Sequence, residues 1–91
     1  MLTRRNTVRR SIDDYPATPD DIPPGWEDDL APVSWAVAIS DDYDDAEPRV
    51  VLTVEEVGHA GAGLVTHLSP TVARRLRVAI ADALKEIGEP A

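Results

Sequence analysis

Cysteine is absent from these 91 residues. That excludes a disulfide framework and any metal site built on thiolates. Phenylalanine and glutamine are also absent, and lysine occurs once against eight arginines. This bias suggests a GC-rich coding source, such as an actinobacterium or its phage. No segment approaches the ~18 consecutive apolar residues of a membrane span. Arg4, Arg5, Arg9 and Arg10 have no apolar run behind them, so the N-terminus does not read as a secretory signal. A cytoplasmic protein with no membrane contact is expected.

Signatures of catalysis and cofactor binding are missing too. Residues 58–63 (GHAGAG) space their glycines as G-x-x-G-x-G. That is neither a P-loop, which needs G-K-[ST], nor the dinucleotide fingerprint, which follows a strand and opens a helix. It reads as a flexible turn. The acidic run at residues 41–48 (DDYDDAEP) lacks the central glycine and the bidentate glutamate of a calcium loop. His59 and His67 have neither cysteines nor a carboxylate at fixed spacing to complete a metal site. No nucleophile–base pair or carboxylate pair is set by a recognisable element. A non-enzymatic protein without cofactor or metal is expected.

What the chain does have is segregated charge. Residues 1–12 hold four arginines and no acid; residues 13–47 hold twelve Asp or Glu and no base; residues 48–91 hold five of each. The net charge of −8 thus arises from one block behind a basic tip. Uniformly basic composition would argue for nucleic acid, and this is not that pattern.

The clearest element is a helix over residues 69–87. Ser69 suits an N-cap and Pro70 the first helical position. Val72, Leu76, Ala79, Ile80, Ala83, Leu84 and Ile87 form one apolar stripe, about 140° wide. Gly88 and Pro90 end it. Before it, residues 33–40 alternate: Val33, Trp35, Val37 and Ile39 on one face, Ser34, Ala36, Ala38 and Ser40 on the other. Residues 49–57 repeat the period with Val50, Leu52 and Val54, and residues 64–68 make a third short strand. Five prolines between Pro16 and Pro32 predict an extended, polyproline-like arm over residues 13–32, with Tyr15, Ile22, Trp26 and Leu30 as anchors.

The expected fold is α+β: a three-stranded antiparallel sheet with one C-terminal helix on one face, preceded by an extended Pro-rich acidic arm. Residues 1–32 form the basic tip and arm, and residues 33–91 the β-β-β-α domain. The helix should cover Trp35, Val37, Leu52, Val54, Leu64 and Leu68. The reverse face carries Ala36, Ala38, Val51, Val65 and His67, small and largely apolar, and is the expected homodimer interface. Trp26 in the arm, Tyr43 at the tip of the acidic loop, and Arg74, Arg77, Val78 and Lys85 on the outer helix face are the expected contacts for a further protein partner. Arginine near a helix N-terminus opposes the helix dipole, so helix stability does not explain Arg74.

Residues 37–45 (VAISDDYDD), followed by a hairpin and then Leu68, Ser69, Ala73, Leu76 and Arg77 in an L-S…A-x-x-L-R pattern, resemble the N-terminal oligomerisation domain of the mycobacterial xenogeneic silencers. These are nucleoid proteins analogous to H-NS. The resemblance spans roughly residues 33–87 and implies a sheet-plus-helix unit that self-associates. That family reads DNA through a separate domain with an R-G-R hook, a motif these residues lack. The expected function is therefore a protein–protein interaction module, a homodimer acting as a phage accessory or host-modulating factor on an unidentified protein. The alternatives are nucleic-acid association through Arg4, Arg5, Arg9 and Arg10, and a structural virion component with a wrapping arm.

Overall fold

The computed structural model describes residues 9–91. Alternation dictates the centre of the sheet. The strands β2 (Val33–Ser40) and β3 (Arg49–Glu56) pair antiparallel over their full length, from Val33 opposite Glu56 to Ser40 opposite Arg49. Trp35 thus faces Val54, Val37 faces Leu52, and Ile39 faces Val50 on one side of the sheet. Strand β4 (Leu64–Leu68) adds to β3 with Val50 opposite Leu68 and Val54 opposite Leu64. All three strands fall where the period of two places them.

The sheet has four strands, not three. Strand β1 (Arg9–Tyr15) pairs antiparallel with β2, with a bulge between Ser11 and Asp13. The order β1-β2-β3-β4 is an antiparallel meander. The sequence RRSIDDY shows no alternation of apolar and polar residues, so periodicity does not reveal it. An edge strand has no need of an apolar face, and charges and a bulge are the features that suit an edge. Residues 13–15 of the acidic arm therefore belong to the sheet. Arg4 and Arg5 lie outside the described residues.

The rest of the arm is wound rather than uniformly extended. Thr18 caps a short 3-10 helix (Pro19–Asp21): its hydroxyl accepts from the Asp20 N–H at 3.3 Å, while the Asp21 carboxylate accepts from the Thr18 N–H at 2.8 Å. This reciprocal pairing is a capping box, which lets a proline-rich segment turn where composition alone implies polyproline geometry.

The helix α1 (Pro70–Glu86) has the predicted ends. The Ser69 hydroxyl accepts from the Val72 N–H at 3.3 Å. Gly88 adopts φ +82, its N–H bonds the Lys85 carbonyl, and the Glu89 N–H bonds the Leu84 carbonyl. That pair of bonds is a Schellman motif, and the left-handed residue it needs is the glycine.

The helix does not lie across the sheet as expected. Ala73, Leu76, Arg77 and Ile80 meet Val37, Val50, Leu52 and Leu68 at one end, around an open cleft of about 320 Å³. Trp35 stays 36% exposed and Leu64 76% exposed. No apolar side chain among the described residues is buried; the only buried residue is Asp41. The chain has a radius of gyration of 16.6 Å and extends 60 × 32 × 16 Å, against about 12 Å for a compact domain of this length. The helix angle is a tertiary property that the stripe of Val72 to Ile87 does not encode.

Candidate interaction surfaces

Three surfaces emerge. On the reverse face the register gathers all five expected interface residues: Ala36, Thr53 and Val65 align across the strands, as do Ala38, Val51 and His67. Strand β1 adds Asp14 beside Ala36 and Ser11 beside Ala38, so the patch has a polar border. One corner is already occupied. Tyr43 folds back from the acidic loop and is half-buried, its hydroxyl 2.8 Å from His67 Nδ1 and its ring edge-on to the imidazole at 5.5 Å.

Arg49 completes this corner. Its guanidinium sits 4.6 Å from the centre of the Tyr43 ring. It also donates twice to Asp45, at 2.8 and 3.0 Å, and once to the Glu47 carbonyl at 3.2 Å. A bidentate pair of this kind fixes orientation as well as attracting. The Arg49 guanidinium, with help from the Glu47 N–H, holds the Asp45 carboxyl well below the usual carboxylate range. Tyr43 and His67, expected in separate contacts, thus belong to one cluster within the chain. No spacing rule links residues so far apart; the pairing of β3 with β4 brings them together.

The helix-side face is different in character. Tyr15 stacks on Trp35 at 5.5 Å, with planes 20° apart. The Tyr15 hydroxyl donates to Asp21 at 2.6 Å, which lowers the Asp21 pKa and raises that of Tyr15. The first aromatic of the arm therefore docks on the sheet. Val33, Trp35 and Leu64 remain open to solvent on this face, and Val72, Leu76, Ile80 and Ile87 on the helix, with Ile87 72% exposed. Sequence reasoning assigned this face to the helix and so did not identify it as a contact surface.

The third surface is the outer helix face. Arg74, Val78 and Lys85 share it with the half-buried Ala81. Arg77 leaves this strip and lines the cleft beside Leu52 and Ile80. Further off, Trp26 is 53% exposed and Leu30 46% exposed, so these two arm anchors stay about half open to solvent. At the other sheet edge Arg9 donates to Asp42 at 2.7 Å.

Comparison with protein families, curated proteins and solved structures finds no match to this chain. Among the described residues no three His, Asp or Glu side chains converge to hold a metal ion. No helix among them is long and apolar enough to cross a membrane.

Proposed function

We propose that the protein is a non-enzymatic interaction module that completes its core by pairing with a second copy of itself. One observation carries this reading: a sheet and a helix with well-formed apolar faces leave every described apolar side chain at least partly exposed. Contiguous apolar surface of this extent marks an interface. A single small core is also near the limit of independent stability.

The helix-side face supports this role better than the reverse face. It presents Trp35, Val33, Leu64 and Ile80, whereas the reverse face offers Ala36, Ala38 and the smaller Val51 and Val65, with one corner closed by Tyr43 and Arg49. Large apolar side chains contribute most per contact, roughly 1.5–3 kcal/mol each when fully buried. Nucleic-acid association through the basic tip draws less support, since Arg9 is paired with Asp42.

Sedimentation equilibrium tests the reading. The 9.9 kDa chain should sediment at twice that mass in the micromolar range. Leu64→Asp should shift it to monomer, while Val65→Asp on the reverse face should shift it far less. A wild-type monomer at every accessible concentration refutes the proposal.

A further inference from the structure

The cleft between helix and sheet is apolar and edged by a cation. Val37, Leu52 and Leu68 line it from the sheet, Leu76 and Ile80 from the helix, and Arg77 sits among them. Among the described residues Arg77 forms no ion pair, and neither do Arg74 or Lys85. A guanidinium beside an unfilled apolar cleft suits an occupant that is apolar on one side and acidic on its flank.

The arm presents such an object. The N–H groups of Asp29 and Leu30 both bond the Trp26 carbonyl at 3.0 Å, winding residues 26–30 into one helical turn. Trp26 and Leu30, four apart, therefore share one side of it. Glu27, Asp28 and Asp29 fill the rest of the turn, and none of them forms an ion pair among the described residues. The two apolar side chains of this turn stand about half exposed.

The turn is tethered away from its own cleft. The Pro32 carbonyl is fixed by the Val57 N–H at 2.9 Å. Leu30, two residues earlier, reaches about 7 Å from that anchor. The cleft begins at Val37, about 13 Å along β2 from Val33, and extends further to Leu68 and the helix. A second copy has no such restriction.

We propose that the turn of residues 26–30 from one copy docks in the helix–sheet cleft of a second copy. Trp26 and Leu30 enter between Leu52 and Ile80, and the three carboxylates meet Arg77 and the basic helix. The inference rests on the self-association proposed above and names the two surfaces that meet. It also accounts for the segregation of charge, because the acidic block of one molecule finds its counter-charge on the helix of another.

Sedimentation and fluorescence test it together. Trp26→Ala, a change at an exposed turn, should weaken self-association by about ten-fold or more, as expected for an aromatic anchor. Arg77→Glu, and separately the triple change of Glu27, Asp28 and Asp29 to lysine, should each weaken it comparably. Combining the two reversals should restore most of the loss. In Trp35→Phe, which keeps an aromatic ring on the association face and leaves Trp26 as the only indole, emission should shift to the blue over the concentration range in which sedimentation shows that variant to associate. Wild-type affinity in Trp26→Ala and in both reversals overturns the docking while leaving self-association intact. A blue shift independent of concentration means docking within one chain and also overturns it. A wild-type chain that remains monomeric removes both this inference and the reading beneath it.

Discussion

Gly63 has no room for a side chain. A Cβ there would overlap the Val54 carbonyl oxygen and crowd the Glu55 side chain. Both belong to β3, so neither can move without disturbing the ladder. Gly63→Ala should cost about 2 kcal/mol or more in thermal or chemical unfolding, whereas Gly61→Ala, with open space around it but φ +84, should cost only backbone strain of about 1 kcal/mol. The sequence shows these glycines as one turn and does not separate their reasons. The cluster of Asp45, Arg49, Tyr43 and His67 was equally illegible, since it depends on how the acidic loop folds over the sheet. Its pH dependence has a definite sign. The carboxyl of Asp45 titrates lower in the folded chain than its ordinary value of 3.8. Its contribution is therefore complete above the ordinary carboxylate range and fades as pH falls through the folded value. As pH falls below about 4 toward that depressed value, stability to unfolding should decline progressively, read by chemical denaturation at a series of pH values, and Asp45→Asn should remove much of that dependence.

Among the elements, those built on period were legible and those built on pairing were not. Strands β2, β3 and β4 alternate, and α1 has a cap, a stripe and a stop glycine. Ser69→Ala should lower stability by about 1 kcal/mol, because one helix N–H loses its acceptor; a thermal melt checks this. Strand β1 carries no apolar rhythm because it sits at an edge, and its place follows only from the open side of β2. That gives β1 a protective role. Deleting residues 1–15 would bare the hydrogen-bonding edge of β2, whose sequence VSWAVAIS contains no charge. Such a truncation should precipitate or form higher aggregates on size-exclusion chromatography, in contrast to the full chain.

At the scale of the molecule, the count of apolar residues was legible but their destination was not. The stripe on α1 and the face of β2 and β3 predict burial against each other. The structure brings them together at one end only and leaves Trp35 and Ile80 open. If association supplies the missing burial, stability must depend on concentration. The melting temperature should rise steadily with protein concentration, and a melting point constant over a hundred-fold range would argue against obligate pairing.

The meander has a kinetic consequence. Each strand pairs with its neighbour in the chain, and the helix follows the last strand directly. The β2–β3 and β3–β4 pairings therefore close over short connections, whereas β1 joins β2 only across the longer arm of residues 16–32. A fast, unimolecular phase should organise the sheet at a rate independent of concentration. Quenching of the indoles should follow as a separate bimolecular phase, since it requires two such molecules to meet.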